Sequence, residues 1–170
     1  MSNNIEIKAH VSDPENLERR VKKLCGPRDS LLLQKDIFYK LNKYRVKLRN
    51  VNGVSELILY KRKNSTGPKQ SSYLRIPIPF PKFTHKVLKT IFGTRGIVEK
   101  KRTLFFYGRT RIHLDEVQKL GSFLEFEVVL GNKDSPSEGI EIANELMQRL
   151  EIDRKNLIAE SYIDLIEKLH

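Results

Sequence analysis

Apolar and polar side chains alternate along much of the chain, and the period switches between that of a strand and that of a helix at a few sharp places. From Ile5 to His10 the alternation puts Ile5 and Ile7 on one face and Asn4, Glu6 and Lys8 on the other, which predicts a strand with a charged face. The period then turns helical. Ser12-Asp13-Pro14-Glu15 supplies a capping side chain, a first-turn proline and an early acid; Leu17, Val21 and Leu24 form one stripe, and Gly26-Pro27 ends it. From Leu31 the pattern predicts successive short antiparallel strands: Leu31 to Leu41, Tyr44 to Asn50, Ser55 to Lys63 and Ser71 to Ile78. Turn signals at Asn42-Lys43, Asn52-Gly53 and Asn64 to Pro68 separate them. Pro77, Pro79 and Pro81 close that run. A helix over about 83–92 follows, with Phe83, Val87, Leu88 and Ile91 inward and Gly93 at its end. Three more strands are predicted, Ile97 to Tyr107, Thr110 to Val117 and Phe123 to Leu130. The last two helices are expected near 137–150 and 161–169, the first burying Ile140, Ala143, Leu146, Met147 and Leu150, the second Tyr162, Leu165, Ile166 and Leu169. The fold class is α+β, with about eight antiparallel strands able to close into a barrel and helices around it.

Composition sharpens this picture. A chain of 170 residues with 39% hydrophobic content suffices for one core, so residues 1–170 are expected to form a single domain. Lys and Arg number 32 against 21 Asp and Glu, a formal charge of +11, which predicts an anionic partner. Nucleic acid, an acidic membrane and a phosphorylated small molecule all satisfy that sum. Arrangement separates them, because a surface binder carries its cations on helix faces and loops, and a pocket binder on one face of several strands. Cys25 is the only cysteine, so no intramolecular disulfide can form. The start has no basic segment followed by an apolar run, and no stretch reaches the length of a membrane span; a cytoplasmic protein without membrane association is expected.

The strand faces carry the chemistry. Arg45, Lys47 and Arg49 share one face, Lys100 and Arg102 another, and Arg111, His113 and Asp115 a third; on the strand after Tyr60, Lys61 or Arg62 joins them. Glu125 and Glu127 project together from a strand whose other face, Leu124, Phe126, Val128 and Leu130, is apolar. Two acids that close repel unless cations sit between them. One such strand is ordinarily a solvated face. Several together predict a polar barrel interior, in which Arg and Lys clamp a polyphosphate and clustered Glu hold a hard divalent ion. His113 reads as a hydrogen-bonded structural side chain beside Asp115, and Tyr39, Tyr60 and Tyr73 as core or rim packing. Lys82, Lys86 and Lys89 read as a solvated helix face. No P-loop, H-E-x-x-H pair, G-x-S-x-G elbow or dinucleotide glycine pattern occurs.

These residues resemble the CYTH superfamily of triphosphate tunnel enzymes, which includes class IV adenylyl cyclases, thiamine triphosphatases and inorganic triphosphatases. Asn4-Ile5-Glu6-Ile7-Lys8 matches two of three positions of its E-x-E-x-K strand. Gln34-Lys35-Asp36-Ile37-Phe38-Tyr39 looks like its Q-x-D-x-Y/F strand, Arg45 to Arg49 like L-R-x-R, and Val98 to Arg102 like V-x-K-x-R. The closest match runs from Ile112-His113-Leu114-Asp115-Glu116-Val117 through Leu120-Gly121 to Phe123-Leu124-Glu125-Phe126-Glu127, with Ser161-Tyr162-Ile163-Asp164-Leu165 at the end. The wording is nearest the cyclase-like branch. The resemblance implies an eight-stranded antiparallel barrel with a tunnel, Mg²⁺ or Mn²⁺ on Glu6, Glu125 and Glu127 with Asn4 beside them, and Asp115 near the metal. It also implies phosphate binding by Lys8, Arg45, Lys47, Arg49, Arg62, Lys100 and Arg102, with Arg75 and Arg111 added.

One position departs from that pattern. Asn4 stands where the family's first Glu belongs, and an amide oxygen can ligate a metal but brings no charge. A weakened metal site is expected. The preferred reading is a metal-dependent phosphohydrolase acting on tripolyphosphate or a nucleoside triphosphate. A class IV-type adenylyl cyclase, and a noncatalytic binder of polyphosphate or phosphorylated ligands, are the alternatives; nucleic acid is the partner the strand arrangement disfavours.

Overall fold

Alternation of apolar and polar residues over seven to fourteen positions, broken by Gly, Asn and Pro, gives eight strands among the described residues, and the amphipathic stretches between them give four α-helices. The computed structural model describes residues 2–41, 44–62, 66–131 and 133–169, apart from the side chains of Ser2 and Arg62. In chain order the elements are β1 (Ser2–His10), α1 (Pro14–Cys25), β2 (Ser30–Tyr39), β3 (Arg45–Val51), β4 (Val54–Arg62) and β5 (Lys69–Pro77). They continue with α2 (Pro81–Phe92), β6 (Thr94–Tyr107), β7 (Thr110–Val117), β8 (Gly121–Leu130), α3 (Pro136–Arg149), a 3₁₀ turn (Arg154–Asn156) and α4 (Tyr162–Glu167). The turn expected at Asn42-Lys43, and residues 64–65 of the one expected from Asn64 to Pro68, fall outside the described residues. At Asn52-Gly53 the chain turns as the dipeptide demands, with φ of 48° and 91°, and Val51 pairs Val54.

The strands close into an antiparallel barrel in the order β1-β5-β4-β3-β2-β6-β7-β8. β6 begins three residues earlier than its apolar pattern suggests, because Thr94 and Gly96 still pair with Tyr39 and Phe38 of β2. The barrel is polar inside and apolar outside, the reverse of a small side-chain-filled barrel. Its outward residues make the core against helices: Ile5, Ile7, Phe105, Ile112, Leu124, Phe126 and Val128 pack on Leu17 and Val21 of α1 and on Ala143, Leu146 and Met147 of α3. The approach of α3 is close enough to require glycine. A Cβ at Gly139 would meet Ile5 Cγ1 at 2.6 Å and Leu130 Cδ2 at 2.9 Å. Ile140, expected on the buried face of α3, is instead 36% exposed.

Two helices depart further from their predicted faces. On α2 only Leu88 of the expected stripe packs inward, under Tyr39, Val46 and Leu48; Phe83 (69%) and Ile91 (64%) face solvent, and Val87 is also exposed. The helical period locates that stripe correctly, but the barrel wall under α2 accepts one turn of it. On α4, Tyr162 is buried and Leu165 and Ile166 pack beside it as expected, but Ile163 is buried too, and Leu169 lies beyond the helix and is exposed. Tyr162 enters one end of the barrel among Phe38, Val98, Val117 and Phe123, and Ile163 reaches Gly96 on β6, where a Cβ would stand 2.6 Å from its Cδ1. The described residues include no helix long and apolar enough to cross a membrane.

Candidate active site

Each strand contributes its inward face to one cavity of ≈ 460 Å³, within the range of about 300–1,000 Å³ usual for small-molecule sites. Among the described residues, seven cationic side chains (Lys8, Lys47, Arg49, Arg75, Lys100, Arg102, Arg111) and five acidic ones (Glu6, Asp36, Glu56, Glu125, Glu127) line it. Buried charges at this density survive only when paired and hydrogen-bonded, and the pairing follows from register.

Asp36 on β2 stands opposite Arg49 on β3. Its Oδ1 accepts from Arg49 Nε at 2.8 Å, and its Oδ2 from Lys47 Nζ at 2.7 Å and from a second Arg49 nitrogen at 2.8 Å. The same unit recurs on the neighbouring strand pair, since β2 also pairs β6. Asp115 on β7, opposite Arg102 on β6, accepts from Arg102 Nε at 2.6 Å on Oδ1, and on Oδ2 from Lys100 Nζ at 2.7 Å, a second Arg102 nitrogen at 2.7 Å and the Tyr162 hydroxyl at 2.8 Å. Each aspartate therefore holds one lysine and one arginine side by side, and each unit retains a net positive charge.

Beside the second unit, on the strand that pairs β7, stand the carboxylates of β8. Glu125 is opposite Lys8 on β1 and His113 on β7; Glu127 is opposite Glu6 and Arg111. Arg102 donates to Glu125 Oε2 at 3.0 Å, and Arg111 Nε to Glu127 Oε2 at 2.9 Å. Lys8 Nζ lies 3.9 Å from Glu125 Oε2 and 3.7 Å over the Tyr162 ring. That ring closes the α4 end.

Most predicted site residues meet here. Arg45 shares the inward face but stands at the α4 end, 3.0 Å from Asp164. Arg75 is at the open end, paired with both oxygens of Glu56 at 2.7 and 3.0 Å. Lys61 is exposed, and the side chain of Arg62 lies outside the described residues. Tyr60 and Tyr73 line the cavity, and Tyr73 does more than pack, since its hydroxyl accepts from Arg111 at 3.2 Å. Tyr39 turns outward to His85. His113 departs from its expected role: it is buried, yet its Nδ1 finds no hydrogen-bond partner. Sequence reasoning assigned Asp36, Glu56, Gln34 and Tyr162 no place in the site. For Asp36 the signal was present, an acid on the cavity face of a strand otherwise rich in apolar residues.

Burial and neighbouring charge set the protonation states. Burial first, then the charge of Arg49, pushes Lys47 down to about 8; burial and then Arg102 push Lys100 down to about 7. Burial works against ionised Asp36, but Arg49 and Lys47 outweigh it and hold the carboxyl well below the usual range. Glu125 is likewise held low, burial being overcome by Lys8, Arg102 and Lys100. Burial, then Arg102, lowers His113 to about 4, leaving a neutral imidazole at pH 7.

The donor set fits a divalent ion. Ligand atoms of His113, Glu125 and Glu127 all lie within 4.8 Å of one another, and a second buried acceptor, Asn4 Oδ1, is without a partner. Orphaned buried polar atoms in a cavity that also holds two ionised carboxylates are the environment a cation satisfies.

The chain is similar to known proteins in sequence and in fold. The sequence description of the CYTH domain matches residues 2–162. A Methanocaldococcus jannaschii protein named "Putative adenylate cyclase" is 25% identical over 175 residues, 95% of this chain and 97% of that one. Among solved structures, a Pyrococcus horikoshii protein matches with a TM-score of 0.85 at 24% identity, over 95% of this chain and 98% of that one. A Hippeastrum protein described as a putative adenylyl cyclase with a dominant triphosphatase activity matches at 0.70 and 14% identity, over 99% and 96%. At these identities the structural matches speak for the fold.

Proposed function

Because the chain belongs to the CYTH family, whose sequence description spans nearly its whole length, we propose that it is a divalent-metal-dependent phosphohydrolase acting on a triphosphate inside its barrel. The observation that carries this reading is the pair of aspartate-held lysine–arginine units, Asp36 with Lys47 and Arg49 and Asp115 with Lys100 and Arg102, whose four cations line one cavity with the carboxylates of β8. Arginine binds a phosphate group through two parallel donors and lysine as a point charge. Two such units side by side on the barrel wall, joined where β2 pairs β6, present a row of four cations that suits a chain of linked phosphates better than a single monoester. The cavity is too small for a nucleic-acid duplex, which favours a small anionic substrate.

In the proposed reaction the substrate enters from the end opposite α4. Lys47, Arg49, Lys100 and Arg102 take the phosphate oxygens, and Tyr162 blocks passage beyond them. Asp36 and Asp115 act as positioning residues, since their oxygens are occupied by the cations they hold. Glu125, Glu127 and Glu6 would hold Mg²⁺ or Mn²⁺, which, when bound, offsets charge on the phosphate oxygens and lowers the pKa of coordinated water. The protein's own contribution is orientation and fixed charge. Phosphoryl transfer draws most of its acceleration from those two sources.

A class IV-type cyclase is the second reading. Tyr60 and Tyr73, partners across β4 and β5 and both on the cavity wall, offer a stacking surface for a purine ring, and the Methanocaldococcus jannaschii relative carries a cyclase name. A product assay separates the readings: purified protein with tripolyphosphate or ATP and Mg²⁺ or Mn²⁺, resolving orthophosphate, pyrophosphate and cyclic AMP. Orthophosphate, lost in Glu125→Gln and Glu127→Gln, is expected. Cyclic AMP with pyrophosphate would establish the cyclase. Tight tripolyphosphate binding without product would overturn catalysis and leave a binding module.

A further inference from the structure

Resting on that reading of the cavity, we propose that His113 is itself a metal ligand. It is the nitrogen donor that takes over from the carboxylate missing at Asn4, and it biases the site toward first-row transition ions such as Mn²⁺ over Mg²⁺. The structure brings three facts together. His113 is 4% exposed and its Nδ1 has no hydrogen-bond partner, although buried ring nitrogens are nearly always paired. Its nearest acid is Glu127, with Nδ1 3.8 Å from Oε1. That separation is beyond an N–H···O hydrogen bond, yet two ligand atoms each about 2.1 Å from a shared ion can stand up to about 4.2 Å apart. Finally, Leu104 is the residue opposite His113 on β6 and Glu125 the one opposite on β8, so the imidazole edge meets an apolar neighbour on one side and a carboxylate on the other.

The surrounding groups fix the donors in place. Arg102 takes Oε2 of Glu125 and Arg111 takes Oε2 of Glu127, which sets the planes of both carboxylates around His113. On β1, Asn4 lies one inward position beyond Glu6, opposite Val129 on β8, while Glu6 faces Glu127. Replacing a carboxylate with an amide there removes one negative charge, which weakens the hold on a hard, oxygen-seeking ion. Adding an imidazole on β7 compensates most for ions that accept nitrogen. Mg²⁺ gains little from a nitrogen donor, whereas transition ions gain more. The donor set thus moves from the first strand to the seventh, and metal preference moves with it.

The test uses the full chain and Mn²⁺ alone. Spin-echo modulation of bound Mn²⁺ should show coupling to a ¹⁴N nucleus, and His113→Gln should abolish it. By calorimetry the same substitution should weaken Mn²⁺ binding at least tenfold while changing Mg²⁺ binding much less. Adding Asn4→Glu to His113→Gln should restore affinity and favour Mg²⁺. Bound Mn²⁺ without ¹⁴N coupling in the unsubstituted protein would overturn the assignment, whether or not the variant folds, and so would the absence of Mn²⁺ binding. Phosphate release from tripolyphosphate is judged separately. A protein that releases phosphate without ¹⁴N coupling keeps the hydrolase reading and loses His113 as a ligand; ¹⁴N coupling without phosphate release does the opposite.

Discussion

Asp36 shows how a single side chain governs the chemistry of others. It neutralises part of two buried cations while fixing their direction, and removing one member of such a cluster leaves uncompensated charge. Asp36→Asn is expected to cost roughly 3–5 kcal/mol of stability, read by denaturant unfolding. Tripolyphosphate should then raise the melting temperature of the variant more than that of the original protein, because the ligand supplies the missing negative charge. An equal rise in both would place the ligand away from Lys47 and Arg49. The same cations predict a pH dependence. Lys47 and Lys100 titrate near 8 and 7 in the folded protein, below the ordinary lysine value of 10.5. Between these values the unfolded chain binds more protons, so their destabilising contribution, full below pH 7, is relieved as pH rises toward 10. Ligand binding runs the other way. A bound polyanion favours the charged lysines, so binding at pH 8 should take up protons, measurable by calorimetry in buffers of different ionisation enthalpy, and affinity should fall between pH 7 and 9. A buffer-independent heat at pH 8 would contradict this.

At the level of helices and strands, α4 and α3 do different work. α4 spans six residues, too few to hold a helix by propensity, and is fixed by its capping box, by Asp164 bound to Arg45 and Arg95, and by Tyr162 inside the barrel. Tyr162→Ala should cost about 3–5 kcal/mol through the cavity it leaves, and it should weaken tripolyphosphate binding by opening the closed end and releasing Asp115. Unchanged binding would mean that the plug plays no part in holding the substrate. α3 seals the apolar exterior instead. Gly139→Ala should cost about 1–3 kcal/mol, since the added methyl meets Ile5 and Leu130, with little effect on metal binding. Strand alternation locates these partners poorly for a physical reason: it specifies a face, and says nothing about which helix will cover it. The period on α2 likewise identifies Phe83, Val87 and Ile91 as one stripe, although the barrel covers only the Leu88 edge.

Across the molecule, the barrel turns an ordinary sheet inside out, and its stability is linked to what fills it. The apolar core outside the barrel sustains the fold, while burying charge inside carries a desolvation cost that a bound ion or polyanion would offset. Saturating Mn²⁺, at about one hundred times its dissociation constant, should therefore add about 2.7 kcal/mol of stability, seen as a melting temperature that rises by several degrees. Glu125→Gln and Glu127→Gln should abolish the rise. A rise that survives both substitutions would move the ion away from β8.

Much of this architecture is legible in the amino-acid sequence by itself. Two-residue spacing places Lys47 with Arg49, Lys100 with Arg102 and Glu125 with Glu127, because strand alternation is a local property of the backbone. The Asn-Gly turn and the Asp13 cap are legible for the same reason. The fate of each charge is not. Whether Asp115 meets a metal or two cations depends on the register of β6 against β7, and whether Arg45 faces the cavity or Asp164 depends on where α4 docks. His113 is the sharpest case. Its face can be read from Asp115 two positions on, but its lack of a partner exists only once Leu104, Glu125 and Glu127 have been brought around it from two other strands. Local sequence decides direction along a strand; long-range pairing decides company, and in a barrel whose interior is charged, company decides chemistry.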